Sequence, residues 1–403
     1  MTETPQQAYI SKVHLKGYKS IRDLEIDFKP GLNIIIGPNG SGKTNFLEFL
    51  DKAFHLNTDD IKNETYGKIE FVVKQLKYHL DYLVKPNKKS KDAQDVKILI
   101  FDSEEKSIFE KEFLRVGNKE VHTNTDNFDY FFSRAFEIYS FLGLAIYREG
   151  DFKLIRFGVD KDFDEFFNNS FSIDFIERNI NGGHTSMESF FEIISNSKFN
   201  EDDSKIIEIS VNSLFLGILN EYSPIKNLQI DIDDARIFNG VSGPKGEEEP
   251  YFEIKNLKTK FLVGEQWLKW YMLSDGTKRI FYLLYNIFTA KGSLFFLEEP
   301  ELGIHPDQLH KLMDFLIEQS KEKQIIITTH SPEVLNAIHP DELDRIIVTR
   351  YDADKGTIMH KLTPEQAKEM GERVKEGDMF LSDRWVHLNL EDEIFNATKL
   401  NEK

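Results

Sequence analysis

The stretch that decides the fold reads Leu32-Asn33-Ile34-Ile35-Ile36-Gly37-Pro38-Asn39-Gly40-Ser41-Gly42-Lys43-Thr44. Its first five residues are rich in branched aliphatic side chains, which indicates a short, buried strand of a parallel sheet. The glycines and the proline that follow interrupt this strand, and the residues from Asn45 to Phe54 have the pattern of a helix. The stretch therefore predicts a strand, a glycine-rich loop and a helix in direct succession, which is a unit of α/β folds.

The glycine-rich part, from Gly37 to Thr44, matches the pattern G-x-x-x-x-G-K-T of phosphate-binding loops. Glycines let backbone N–H groups turn inward around phosphate oxygens, and the N-terminus of the following helix favours negative charge. Lys43 would reach the β- and γ-phosphates of a nucleotide, and the hydroxyl of Thr44 would bind Mg²⁺. We therefore expect residues 37–44 to bind ATP with Mg²⁺. The alternative is an ordinary glycine-rich turn. It is disfavoured because both glycines, the Lys-Thr pair and the flanking strand and helix are all present.

A second motif combines an apolar strand at residues 294–297 with two carboxylates, Glu298 and Glu299, at its end. Nucleotide hydrolysis needs one carboxylate to support the Mg²⁺ shell and another to orient or deprotonate the attacking water. Adjacent side chains of a strand point to opposite faces, but the backbone turns at a strand end, so both carboxylates can face one site. The alternative is a solvated acidic loop after a core strand.

The segments around these motifs predict a mixed α/β core with an antiparallel part and an insertion. Alternating apolar and polar residues predict a first hairpin, and further antiparallel strands follow over residues 67–115. Residues 125–225 are irregular with helix-like stretches, which indicates a mostly helical inserted lobe. From about residue 226 the α/β pattern resumes, with a further buried strand at 324–327. We therefore divide the chain into three parts, which are 1–124, 125–225 and 226–403.

Composition excludes several classes of function. The 403 residues carry a net charge of −18 and include no cysteine. Such acidity argues against nucleic acid bound over the whole surface, and the one dense basic run, Lys85 to Lys91, is more simply a solvated hairpin tip than a phosphate-contacting loop. The lack of cysteine excludes disulfides, thiolate zinc sites and cysteine nucleophiles. The sequence shows no signal peptide and no apolar run of roughly 18 residues, so we expect a cytoplasmic protein without a membrane partner.

In their order along the chain, the motifs resemble those of ABC-type ATPase heads. Within this class they look most like the SMC/RecF-like ATPases and the ATPase half of the overcoming-lysogenization-defect (OLD) nucleases, and the resemblance implies a standalone AAA-type ATP-binding protein. The opening residues His14 to Ile21 are also similar to the first hairpin of this group. The resemblance covers residues 9–55 and 260–350. The motifs that carry it are the loop at 37–44, Leu273-Ser274-Asp275-Gly276-Thr277, Glu298-Glu299-Pro300 and Thr328-Thr329-His330.

The resemblance implies a P-loop NTPase fold of the ABC-head type and a role for each matching residue. Glu298 takes the position of the acid that supports Mg²⁺ together with Thr44. Glu299 takes that of the catalytic glutamate, and His330 that of the switch histidine that senses the γ-phosphate. Ser274 and Gly276 occupy the signature position, which binds ATP held by another subunit, and the loop from Leu302 to Pro306 touches that subunit. The resemblance therefore implies a homodimer or higher homo-oligomer with composite ATP sites.

Two functions remain open at this point. One is an ATP-driven switch that controls a separate effector, a toxin or a nuclease, in anti-phage defence. The alternative is a RecF/SMC-like DNA-repair ATPase that binds duplex DNA, which the acidic charge disfavours. The stretch after His330 is too short for the nuclease domain of OLD proteins, so we expect the effector to be a separate chain. Asp352-x-Asp354 and Glu253-Ile254-Lys255 resemble fragments of nuclease sites only superficially, and the 125–225 lobe offers no convergent acid-acid-lysine set.

Overall fold

In the computed structural model the chain divides into two compact units. The first comprises residues 1–145, 290–302 and 313–403, and the second comprises 146–289 and 303–312. The structure describes residues 8–55, 57–58, 61, 64–88, 93–116, 119–125, 138–140, 199–200, 205–206, 213–241, 248–289, 292–377 and 380–387.

The elements are numbered in chain order. The strands are β1 (Ala8–Tyr18), β2 (Ile21–Asp27), β3 (Leu32–Ile36), β4 (Thr65–Val73), β5 (Leu76–Pro86), β6 (Ala93–Phe101), β7 (Ser107–Val116), β8 (Lys119–Thr125), β9 (Ile138–Ser140), β10 (Phe199–Asn200), β11 (Lys205–Ile206), β12 (Ile225–Val241), β13 (Glu248–Val263), β14 (Gln266–Leu268), β15 (Leu294–Glu298), β16 (Gln324–Thr329), β17 (Ile346–Asp352) and β18 (Gly356–Lys361). The helices are α1 (Lys43–Phe54), α2 (Ser213–Tyr222), α3 (Asp275–Thr289), α4 (Pro306–Gln319), α5 (Pro364–Lys375) and α6 (Leu381–His387).

The first unit is built on a mixed sheet, which confirms the α/β class with an antiparallel part. Within the described residues the sheet has thirteen strands in the order β8-β7-β6-β5-β4-β1-β2-β18-β17-β3-β16-β15-β9. β3 pairs in parallel with β16 and β17, and β15 pairs in parallel with β16 and β9. β1, β2 and β4 to β8 pair antiparallel, as the alternating pattern predicts.

Burial along the strands follows from this topology. Every residue of β3 and β16 is buried, whereas burial alternates along β2 and β6. Parallel strands have both faces covered, so their sequences are continuous apolar runs, while the antiparallel strands turn one face to solvent. Because β3, β15 and β16 run in parallel, their carboxyl ends meet at one edge of the sheet, where ligands of α/β folds bind.

The side-chain amide of Gln324 is buried at the opposite end of this parallel core. Gln324, at the start of β16, is fully buried and makes three hydrogen bonds. Its Nε2 donates to the backbone oxygens of Ile10 and Lys29 at 2.9 Å, and its Oε1 accepts from the backbone N of Ile10 at 2.8 Å. The pairing of β1 with β4 shifts register directly after Ile10. The amide therefore satisfies backbone groups beside an irregularity of the sheet.

We expect Gln324→Ala to lower the free energy of unfolding by about 3 kcal/mol, because it removes three hydrogen bonds, two of them to the backbone of buried Ile10, and leaves a small cavity. Thermal unfolding followed by calorimetry measures the loss. The matched control is Gln266→Ala, since Gln266 is exposed on β14 and its truncation should change stability by less than about 0.5 kcal/mol. Equal losses in the two variants would contradict this account of Gln324.

The second unit contains a long hairpin that the sequence interpretation does not identify. β12 and β13, of 17 and 16 residues, pair antiparallel from Ile225 to Val263. α2 and α3 contribute to an aromatic core around Phe281, whose ring contacts those of Phe215, Phe261 and Trp270. The sequence predicts only that the α/β pattern resumes near residue 226, although residues 228–232 alternate apolar and polar as a half-buried strand does.

The predicted helical lobe at 125–225 lies mostly outside the described residues. Within that range the structure describes the short strands β9 to β11 and the helix α2. The division at residues 124 and 225 therefore stays a prediction. No helix in the described part of the chain is long and apolar enough to cross a membrane.

Candidate functional site

The glycine-rich loop follows β3 directly, and α1 begins at Lys43, as the sequence predicts. Gly42 has a φ of +101°, and a Cβ there would lie 2.0 Å from Oγ1 of Thr357. A Cβ on Gly37 would lie 2.0 Å from the backbone oxygen of Thr349. Glycine is therefore required at both positions, since the backbone of the loop approaches β17 and β18 more closely than any side chain allows. At the tip, Pro38, Asn39 and Gly40 are exposed.

The ammonium group of Lys43 is buried inside this loop. Its side chain is 5% exposed, and Nζ donates to the backbone oxygens of Gly37 at 2.7 Å and Pro38 at 3.0 Å. Burial lowers the pKa of Lys43, and the nearby carboxylates of Glu299, Glu301 and Glu298 oppose this shift. An anion bound in the loop would give the ammonium a partner of opposite charge.

Thr44 and Glu298 bring two oxygen ligands together beside the loop, because the hydroxyl of Thr44 donates to Oε1 of Glu298. Mg²⁺ prefers oxygen ligands and usually takes one or two from the protein, with phosphates and water completing its shell. Among the described residues no group of three or more His, Asp or Glu is placed to hold a metal ion. Ser41, also in the loop, has a buried hydroxyl without a hydrogen-bond partner. These residues fit a nucleotide bound with Mg²⁺.

Glu299 adopts a strained backbone conformation with a φ of +45°. Its N–H donates to the backbone oxygen of Thr328 at 2.8 Å, which fixes it against the end of β16. Its Oε1 lies 3.0 Å from Nδ1 of His330. The left-handed turn is the physical reason why two successive glutamates at a strand end can face one candidate site, with Glu298 towards Thr44 and Glu299 towards His330. Such a conformation costs a non-glycine residue about 1 kcal/mol or more.

We expect Glu299→Gly to unfold with a free energy about 1 kcal/mol higher than Glu299→Ala, because only glycine adopts this conformation without strain. Both variants lack the carboxylate, so its contribution to stability cancels when their free energies of unfolding are compared. Thermal unfolding of the nucleotide-free protein measures the difference. The order should reverse at Glu298, which lies in regular strand, since glycine destabilises a strand there. If glycine and alanine are equally stable at position 299, the strain is absent in solution.

Glu301 lies beside the same candidate site, although no motif of the sequence points to this residue. Its side chain is buried and accepts a hydrogen bond from the hydroxyl of Thr329. Burial raises the pKa of its carboxyl, the Thr329 bond opposes this, and the charge of Glu299 raises it further. The only signal in the sequence is a third glutamate within four residues, which is also typical of an exposed acidic turn.

The predicted signature residues lie in the second unit, whereas the loop, Glu298, Glu299 and His330 lie in the first. Ser274 caps α3, because its Oγ accepts from the N–H of Thr277 at 3.2 Å and lies 2.9 Å from Oγ1 of that residue. A Cβ on Gly276 would lie 2.5 Å from the backbone oxygen of Gly303. Packing against Gly303 within the second unit is therefore enough to explain why position 276 is glycine.

Comparison with known proteins agrees with the motifs. A family profile described as "AAA domain, putative AbiEii toxin, Type IV TA system" matches residues 32–336. The "DNA replication and repair protein RecF" of Corynebacterium jeikeium is 38% identical over 56 residues, which are 14% of this chain and 13% of that protein. The protein of the same name from Desulfitobacterium hafniense is 34% identical over 82 residues, or 18% of this chain and 22% of that one. The predicted resemblance to RecF-like ATPases is thus confirmed, over a small part of those relatives' length.

A solved structure described as an SMC head bound to the C-winged helix domain of ScpA also overlaps with this chain. It is 17% identical, and the alignment covers 90% of this chain and 99% of that one with a TM-score of 0.44.

Proposed function

Since the chain belongs to the family of AAA domains named for the AbiEii toxin of type IV toxin–antitoxin systems, which are P-loop ATPases, we propose that it is a nucleotide-driven switch. In this proposal it binds ATP with Mg²⁺, hydrolyses it, and passes the nucleotide state to a separate effector protein. The observation that supports it most is the meeting of Lys43, Glu298, Glu299 and His330 at the carboxyl ends of β3, β15 and β16.

Each of these residues has a distinct part in the proposed hydrolysis. The backbone N–H groups of the loop and Lys43 bind the phosphates. Mg²⁺, when bound by Thr44 and Glu298, would neutralise charge on the phosphate oxygens. Glu299 accepts the proton of the attacking water, and its contact with His330 holds the carboxylate towards that water. The strained turn at Glu299 keeps this carboxylate close to the loop.

We propose further that two copies of the chain complete each other's sites. Ser274 and the N-terminus of α3 would bind the phosphates of ATP held by the partner subunit, and an interface of this kind has two-fold symmetry. Gly276→Arg is a poor test of this arrangement, because even a Cβ at that position collides with Gly303 of the same subunit. A substitution that preserves the structure of the second unit is needed.

Ser274→Asp provides that test, because aspartate caps a helix as well as serine but places a negative charge where the partner's phosphate would lie. In a Glu299→Gln background, which retains ATP, we expect Ser274→Asp to abolish the ATP-dependent increase in mass seen by analytical ultracentrifugation. The matched control is Ser274→Asn, which also caps but carries no charge and should weaken association less. If the aspartate and asparagine variants associate equally, Ser274 does not face a phosphate.

The effector is proposed to be a toxin or a nuclease, in anti-phage defence and in the cytoplasm. Affinity capture of the tagged Glu299→Gln chain with ATP and with ADP tests this proposal. We expect a partner protein in a fixed ratio whose capture depends on the nucleotide. Equal capture under both conditions would contradict a nucleotide-driven switch.

The second candidate, a DNA-repair ATPase that binds duplex DNA, is favoured by the RecF relatives. The charges on the antiparallel sheet oppose it. Lys12 lies 2.5 Å from Glu25, Lys16 lies 2.8 Å from Asp23, and Lys97 lies 2.6 Å from Glu110. The carboxylates beside these lysines offset their positive charge and weaken the field that would attract the phosphates of a duplex. Binding of a DNA duplex that weakens steeply with added salt would nevertheless establish this candidate.

A further inference from the structure

Two side-chain contacts join the loop after β15 to the end of β16. Glu299 Oε1 lies 3.0 Å from Nδ1 of His330, and the hydroxyl of Thr329 donates to Oε1 of Glu301. In both contacts the carboxylate comes from the loop and its partner from the end of the strand. Thr329 Oγ1 also accepts from the N–H of Ser331 at 2.9 Å. The hydroxyl that binds Glu301 therefore fixes the backbone on both sides of His330.

The same strand end is also fastened to the phosphate-binding loop. The backbone oxygen of Thr329 accepts from the N–H of Gly37 at 3.3 Å, and that of Thr328 accepts from the N–H of Glu299 at 2.8 Å. Glu301, which follows Pro300, accepts the hydrogen bond of the Thr329 hydroxyl. Removal of this contact would leave the strand pairing intact but would no longer fix the Thr329 hydroxyl, which accepts from the N–H of Ser331 in the turn that carries His330.

Stability alone does not account for a glutamate at position 301. The side chain is 8% exposed, and its Oε2 is buried without a hydrogen-bond partner. Burial raises the pKa of the carboxyl, which means that the charged form is disfavoured there. An apolar pair of the same shape at positions 301 and 329 would avoid this penalty. A costly polar group beside a candidate site points to a role in that site.

We propose that Glu301 is a positioning residue, which acts through Thr329 to hold His330 at hydrogen-bond distance from Glu299. This inference rests on the proposed function, because it takes Glu299 as the base of the hydrolysis. Glu301 itself touches neither the nucleotide nor the water. Its hydrogen bond, rather than its charge, sets the geometry of the Glu299–His330 pair.

A set of substitutions separates positioning from stability. The double variant Glu301→Leu with Thr329→Val replaces the hydrogen-bonded pair by apolar side chains of similar size. Since valine at position 329 also removes the acceptor of the Ser331 N–H, Thr329→Val alone is the reference for stability. We expect the double variant to unfold at a temperature no lower than that reference and to keep the parent's ATP affinity, while its kcat falls on the order of tenfold to a hundredfold below that of the parent. Glu301→Gln and Thr329→Ser, which keep the acceptor oxygen and the hydroxyl, should each retain most of the turnover.

The parent and Glu299→Gln belong in the same assay. If the parent does not hydrolyse ATP, or Glu299→Gln is as fast as the parent, the proposed function fails regardless of Glu301. If both behave as expected but the double apolar variant keeps the parent's kcat, Glu301 is not a positioning residue. A Glu301→Gln variant as slow as the apolar one would also overturn the inference, because charge would then carry the effect.

Discussion

Lys43→Ala is expected to weaken ATP binding by at least about a hundredfold, which corresponds to about 2.8 kcal/mol. Lys43 places a buried ammonium group inside the phosphate-binding loop, where its present partners are two backbone oxygens. A phosphate would pair with this charge in a region shielded from water, and such pairs are costly to truncate. Isothermal titration calorimetry in the presence of Mg²⁺ measures the change.

Two further variants identify the cause of that loss. Lys43→Met keeps the length of the side chain and removes only the charge, so it should bind ATP as weakly as the alanine variant. Lys77→Ala removes an exposed lysine of β5 and should leave affinity at the parent value. Thermal unfolding of all three variants verifies that the loss of affinity does not come from unfolding of the loop when the hydrogen bonds of Lys43 are removed. Parent-like affinity in Lys43→Met would mean that the nucleotide binds elsewhere.

The parts of the site that could be predicted from the sequence are those encoded in contiguous strand–loop segments. Ile36 leads into the loop, Leu297 leads into Glu298 and Glu299, and each strand is apolar enough to be recognised as a parallel core strand. Parallel strands place their carboxyl ends at one edge, so three local patterns suffice to bring the phosphate-binding loop, two carboxylates and a histidine together.

The contacts that could not be predicted depend on the register between distant segments. Glu301 reaches Thr329 because Glu298 pairs with Thr328 in the sheet, and no local pattern specifies that register. The steric need for glycine at 276 arises from Gly303, which belongs to another loop. Part of β12 does alternate apolar and polar residues, from Leu228 to Ile232, but its pairing with β13 from Ile225 to Val263 is a register that no local pattern specifies.

Glu299→Gln is expected to reduce the rate of hydrolysis on the order of a thousandfold while ATP affinity is retained. The amide keeps the shape of the side chain and an Oε1 that can still accept a hydrogen bond from His330. It also leaves the backbone at position 299 in the same conformation. What it removes is the basicity that accepts a proton from water. Single-turnover hydrolysis of γ-labelled ATP measures the rate without a contribution from product release.

Glu298→Gln is the matched control, because it makes the same chemical change one residue earlier, on the carboxylate that faces Thr44. An amide is a weaker Mg²⁺ ligand than a carboxylate, so its loss of rate should be recovered at high Mg²⁺ concentration. The loss in Glu299→Gln should not be recovered, since a proton acceptor cannot be replaced by metal. If instead added Mg²⁺ restores Glu299→Gln and not Glu298→Gln, the two glutamates have exchanged roles. The left-handed turn at Glu299 would then serve to present a metal ligand rather than a base.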